Sequence, residues 1–136
     1  MLHFGCYDLS ALPSVGHFNK PLILNNKIIK HFLDAFVPDT TTEDRKDPSI
    51  SPYYENLEPF RGRLPSAFFT IGTEDPLIDD TIVMGTKWLM TGGHAVIRIY
   101  PGAAHGFVAF SPEVLQEAGE ALNDTKTYIE ERMASN

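Results

Sequence analysis

Ala67-Phe68-Phe69-Thr70-Ile71-Gly72-Thr73-Glu74-Asp75-Pro76-Leu77-Ile78-Asp79-Asp80, answered further on by Tyr100-Pro101-Gly102-Ala103-Ala104-His105-Gly106-Phe107, decides how this chain is read. The first stretch is a short apolar strand over 67–71 that ends at Gly72 and runs into a turn carrying an acid. A helix over about 79–91 follows, then a strand from Ala95 to Tyr100, then a turn carrying a histidine. Strand, helix, strand in about 30 residues is a right-handed βαβ crossover, which makes the two strands parallel. Asp75 and His105 are 30 positions apart (105 − 75), each just past the carboxyl end of its strand. Ligands of open α/β sheets bind at that edge. An acid and a base delivered there side by side point to two members of a catalytic triad.

The bulk composition narrows the classes of function. A chain of 136 residues is expected to form one domain. A formal charge of −7 argues against nucleic acid or an anionic membrane as partner, because both require clustered Lys and Arg. No apolar run approaches the roughly 18 residues of a membrane span. The N-terminus has no secretory pattern, and the single cysteine, Cys6, fits a reducing compartment, so a cytoplasmic location is expected.

Taken in order, the chain opens on an apolar run, Leu2, Phe4, Cys6 and Tyr7, ending at Asp8, which reads as a strand over 2–8 buried in a parallel sheet. Opening on such a strand hints at a missing upstream part. Cys6 reads as a small buried hydrophobe within it. Asn25 or Asn26 caps a helix with a stripe of Ile28, Ile29, Phe32, Leu33 and Phe36, stopped by Pro38. Residues 38–66 hold Pro38, Pro48, Pro52, Pro59 and Pro65 and read as a long irregular connection, a type that often serves a binding or lid role. In the helix after Asp75, Ile82, Val83, Thr86 and Leu89 form the expected inward face, with Trp88 beside it, and Gly92-Gly93 ends it. Asp79 and Asp80 suit the positive end of its dipole. That explains Glu74, Asp75, Asp79 and Asp80 without a bound metal. Ser111 and Pro112 open a last helix whose stripe is Leu115, Ala118, Leu122, Thr125 and Ile129.

Tyr7-Asp8-Leu9-Ser10, Asp47-Pro48 with Ser51-Pro52, Gly72-Thr73-Glu74-Asp75-Pro76-Leu77 with Asp79-Asp80, and Tyr100-Pro101-Gly102 with His105-Gly106-Phe107 occur in one order along the chain. Together they resemble the carboxyl-terminal part of an α/β-hydrolase, in particular the hormone-sensitive-lipase-like (α/β hydrolase fold-3) esterases. The resemblance implies an α/β fold of about three parallel strands with flanking helices. Residues 1–136 would be the C-terminal part of a single such domain, with 9–66 including the cap or substrate-side segment. It further implies Asp75 as triad acid, His105 as triad base, a small-molecule acyl ester as substrate, and no metal or organic cofactor. The order acid then histidine is the one this fold uses after its serine.

The serine itself is missing. The fold's nucleophile sits in a G-x-S-x-G turn. The residues two before Ser10, Ser14, Ser49, Ser51, Ser66, Ser111 and Ser135 are Asp8, Leu12, Asp47, Ser49, Leu64, Ala109 and Met133, none of them glycine. The His-Gly-Gly-Gly oxyanion loop is absent as well. The expectation is therefore a carboxylic ester hydrolase represented by the part that carries acid and base, inactive alone. The alternative is a non-catalytic α/β binding module or truncated pseudo-enzyme, with self-association through an exposed strand 2–8.

Overall fold

The computed structural model describes residues 1–135. Three parallel strands, β1 (Leu2–His3), β2 (Ala67–Glu74) and β3 (Ala95–Ala104), lie in that order across the sheet. Helices α1 (Pro13–His17) and α2 (Asn26–Phe36) fall between β1 and β2; α3 (Ile78–Met90) links β2 to β3, and α4 (Gln116–Ala134) closes the chain. The α/β architecture with three parallel strands is the one expected.

β2 is the spine. Its residues from Ala67 to Gly72 are all buried, and Phe68 and Phe69, as neighbours in a strand, point to opposite faces. Phe69 meets Trp88 of α3 edge-on at 6.1 Å, while Phe68 stacks on Tyr128 of α4 at 5.0 Å. The alternation places α3 and α4 on opposite faces of the sheet.

β1 is shorter than its apolar run implies. Only Leu2 and His3 pair with β2, opposite Phe69 and Thr70. Phe4 sends one last N–H to Thr70 O at 2.8 Å and then turns away with φ at +37°. The stretch 4–8 is therefore a turn and not a strand. Cys6 is exposed rather than buried in a sheet.

The inward faces of three helices also differ from the stripes read in the sequence. In α2 only Ile29 and Leu33 are buried, while Phe32 and Phe36 are 65% and 74% exposed. In α3 the buried residues are Asp80, Thr81, Met84 and Gly85, on nearly the opposite side of the helix from the expected Ile82, Val83, Thr86 and Leu89. In α4 they are Ala118, Ala121 and Tyr128, and Leu122 and Ile129 are largely exposed. Specific contacts set these rotations. Tyr128 stacks on Phe68, Tyr100 Oη donates to Asp124 at 2.8 Å, and the small Ala118 and Ala121 permit close approach. Ser111 and Pro112 form a turn before α4, with Val114 N and Leu115 N bonding to Ser111 O, so the helix begins at Gln116.

Of the two asparagines offered by the sequence, Asn25 caps α2, accepting from Lys27 N and Ile28 N, and the helix stops at Phe36 before Pro38. Residues 38–66 are less irregular than their prolines indicate. They hold three 3-10 turns, Asp44–Lys46, Pro52–Tyr54 and Glu58–Phe60. No helix among the described residues is long and apolar enough to cross a membrane.

Candidate active site

β2 ends at Glu74, so Asp75 is the first residue beyond it, and Pro76 turns the chain into α3. β3 runs to Ala104, so His105 is likewise the first residue past its strand. The two strands reach this edge out of step. Gly72 is paired with Tyr100, yet Glu74 is paired with Ala104, so two residues of β2 (74 − 72) face four of β3 (104 − 100). The slack is taken up at Pro101-Gly102, where Gly102 N donates to Thr73 Oγ1 at 2.8 Å. Gly106 then turns with φ at +74°, a value that favours glycine. Phe107, fully buried against Tyr100 and Phe4, anchors the loop.

The outcome is a direct bond between the two residues singled out in the sequence: His105 Nδ1 lies 2.9 Å from Asp75 Oδ2. The other oxygen, Oδ1, accepts Leu77 N–H at 2.9 Å. Asp75 is 1% exposed, so both oxygens are held and the carboxylate has a single orientation. A carboxylate only accepts, so Nδ1 carries the ring proton and Nε2 is left as the basic nitrogen. Phe4 meets the imidazole edge-on at 4.9 Å.

Beside His105 opens an apolar cleft of about 390 Å3, with Phe4, Leu24, Phe32, Phe36 and Leu77 among its lining residues. The exposed phenylalanines of α2 belong to this wall, which accounts for a stripe wider than the helix buries. Cys6 lines the same cleft, and although the residue reaches solvent, the protein packed round its thiol desolvates it and pushes it up to about 12, with the Asp80 and Asp8 carboxylates adding to the shift. A thiol held protonated is no nucleophile at neutral pH. A larger hollow of about 620 Å3, between residues 53–58 and the outer face of α3, has neither Asp75 nor His105 in its lining.

Among the described residues, no serine hydroxyl bonds to His105. Ser14 Oγ donates to Pro76 O, Ser49 Oγ to Asp47, Ser51 Oγ to Arg45 O and Ser135 Oγ to Glu131 O, while Ser10 Oγ lies between Asp8 and Tyr54.

Asp79 and Asp80 do more than face a helix dipole. Asp79 Oδ2 accepts Ser14 N–H at 2.8 Å, and the buried Asp80 accepts Tyr7 N–H at 2.6 Å and Asp8 N–H at 2.8 Å through Oδ1. Asp8 in turn accepts from Ser10 N–H, Ser10 Oγ and Tyr54 Oη. Sequence reasoning missed these partners, since carboxylate-to-backbone bonds 65 to 73 residues apart leave no periodic trace.

A parallel βαβ sheet presenting an acid and then a histidine from successive strand ends is an α/β-hydrolase type of arrangement. Residues 2–109 match the family model described as alpha/beta hydrolase fold, and the chain belongs to that family. It is similar to an esterase of the archaeon Pyrobaculum calidifontis at 26% identity and a TM-score of 0.79, over 96% of this chain and 42% of that one. A hormone-sensitive lipase from a metagenome library shares the fold, with 21% identity and a TM-score of 0.81 over 96% and 43% of the two chains. So does a thermostable esterase from Pseudomonas putida, at 23% and 0.67 over 77% and 32%. The chain thus spans about two-fifths of the length of the P. calidifontis esterase. No curated protein matches the sequence.

Proposed function

We propose that this chain supplies the acid and the base of a Ser-His-Asp carboxylic ester hydrolase, Asp75 and His105, for a small-molecule acyl ester. The observation that carries the reading is the 2.9 Å bond from His105 Nδ1 to a buried Asp75, beside an apolar cleft. In this mechanism Nε2 of His105 takes the proton of a serine hydroxyl as that oxygen adds to the ester carbonyl carbon. The resulting imidazolium is stabilised by Asp75, which keeps the ring in place. Collapse of the tetrahedral oxyanion breaks the bond to the alcohol, and His105 returns the proton to that alcohol. Water, deprotonated by His105, then releases the acid from the acyl-serine and restores the site. Residues 9–66 include the substrate-side segment, with Leu24, Phe32 and Phe36 walling the acyl pocket.

On this reading the chain does not supply the nucleophile or the oxyanion loop, since it holds neither a G-x-S-x-G turn nor a His-Gly-Gly-Gly stretch. The chain alone is therefore expected to give neither burst nor turnover on p-nitrophenyl butyrate. A chimera tests the reading directly: the chain replaces the matching part of the P. calidifontis esterase, whose remaining part completes the domain. The expected result is ester hydrolysis lost at least about a thousandfold in Asp75→Ala or His105→Ala. A folded chimera whose activity ignores both substitutions refutes the assignment. That no serine hydroxyl among the described residues bonds to His105 favours a second reading, a binding module that keeps the cleft without turnover. Ligand binding by the chain with an inactive, folded chimera is its signature.

A further inference from the structure

The backbone between β1 and α1 carries one wall of the His105 cleft, and strand pairing does not account for its path. The last bond to β2 is Phe4 N to Thr70 O at 2.8 Å, after which the chain leaves the sheet. Phe4, Cys6 and Leu9 nevertheless all line the cleft, and Phe4 sits 4.9 Å from the His105 ring. The next anchor along the chain is Asp80. Its side chain is wholly buried, and Oδ1 takes the N–H of both Tyr7 and Asp8, at 2.6 and 2.8 Å. The other side of this turn is held by Tyr53 N to Tyr7 O at 3.0 Å and Leu9 N to Ser51 Oγ at 2.8 Å.

We infer that Asp80 is a positioning residue for the His105 cleft, its carboxylate fixing the turn at Tyr7 and Asp8 so that Phe4, Cys6 and Leu9 form the cleft wall. The inference deepens the esterase reading, since that wall borders its acyl pocket, but it concerns the shape of the cleft and not the chemistry at Nε2.

The carboxylate is under tension. Among the described residues its Oδ2 is buried without a hydrogen-bond partner. Burial pushes the Asp80 carboxyl up to about 6, the two backbone N–H groups opposing the shift and Asp8 and Asp79 adding to it. Asp8, Asp79, Tyr7 and Cys6 are the titratable groups that face it. Ionised Asp80 makes charge-assisted bonds to the turn, and these weaken on protonation because such bonds are roughly twice as strong as neutral ones. The clamp is therefore firmer above about pH 6 than below it.

The experiment follows the isotope-labelled chain by NMR from pH 4.5 to 8, with the neutral fluorophore N-phenyl-1-naphthylamine as a probe of the cleft. In the wild type the amide protons of Tyr7 and Asp8 are expected to move together with one midpoint near pH 6. Probe affinity should fall about threefold below that midpoint. Asp80→Asn keeps an acceptor without a charge. It should abolish the shared transition, hold the probe at the wild type's low-pH affinity at every pH, and preserve the Phe4 ring-current shift on His105. Asp80→Ala should lose that shift and about tenfold in probe affinity. Should the alanine variant fail to fold, the wild type and Asp80→Asn still decide the matter. Because His105 is present in both, their difference isolates Asp80. Independent amide titrations, or the same pH-dependent affinity in Asp80→Asn, overturn the inference. Neither readout uses turnover, so a failed chimera and a failed clamp remain distinguishable.

Discussion

Gly72→Ala should unfasten the site and destabilise the fold at once. Gly72 lies where β2 and β3 fall out of step, and a Cβ built there would sit 1.9 Å from the carbonyl oxygen of Ala103 and 2.5 Å from its carbon. Ordinary contact requires about 3.4 Å, so the backbones must separate by about 1.5 Å. The obstacle is main chain on both sides, and no rotamer change relieves it. Overpacking typically costs 1–3 kcal/mol, and this case belongs at the top of that range, about 3 kcal/mol. With a urea slope of about 1–3 kcal/mol per molar, the unfolding midpoint should fall by about 1–3 M. Gly16→Ala is the control. It lies in α1 with nothing within 4 Å of the new methyl, and should raise stability by about 0.5–1 kcal/mol. The strain also has a direction, because Ala103 stands two residues before His105. Pushing β3 outward lengthens the 2.9 Å bond to Asp75, so the downfield His105 Nδ1 proton resonance should be lost in conditions where the variant is still folded. A Gly72→Ala midpoint within about 0.3 M of wild type would refute the close-packing argument.

Asn25→Ala removes the acceptor for Lys27 N and Ile28 N and should cost about 1 kcal/mol, seen as faster amide exchange confined to α2. Phe36→Ser alters a side chain that is 74% exposed yet lines the cleft. It should leave the unfolding free energy within about 0.5 kcal/mol while weakening the binding of apolar probes. The Asp80 carboxyl is raised to about 6 in the fold, against about 3.9 when unfolded, so the folded chain holds this proton more tightly. Its contribution to stability is full below about pH 4, declines as pH rises through about 6, and is flat above. The difference between the folded and unfolded values corresponds to about 3 kcal/mol. Urea titrations should show that decline in the wild type and a corresponding flattening in Asp80→Asn.

The fold was legible where one physical rule governed a segment. The βαβ unit, the Asn25 cap and the stop before Pro38 each follow from local chemistry, and each sits where the sequence places it. Asp75 and His105 were legible because the parallel crossover constrains what stands at adjacent strand ends. Helix rotation was not. In α4, Leu122 and Ile129 complete a good apolar stripe, yet Ala121 and Tyr128 face inward. A stacking partner and a close backbone approach outweigh a hydrophobic count, and neither shows in periodicity. The run 2–8 failed for a related reason. Phe4 and Cys6 line a cleft while Tyr7 packs on Phe69, and an apolar run carries no mark that separates such a path from a strand.

Asp75-Pro76-Leu77-Ile78-Asp79-Asp80 is a junction. Three carboxylates within six residues each bind a different segment: Asp75 the histidine loop, Asp79 the turn at Ser14 that opens α1, and Asp80 the turn at Tyr7 and Asp8. Acids at a helix start gain only about 0.3–1 kcal/mol each from the dipole, too little to explain burying one completely. Burial of an unshared carboxylate oxygen costs more than that, as the raised Asp80 carboxyl shows. The cost makes sense if the bonds are structural fastenings that bring three distant stretches to one strand end. The same short turn then sets the orientation of His105, the path of the cleft wall and the start of the segment leading to α2. Placing Asp75 just before α3 and Asp79 and Asp80 on its first turn ties the geometry of the cleft to the β2–α3 unit, so the turns at Ser14 and at Tyr7 and Asp8 cannot shift relative to His105 without breaking a hydrogen bond.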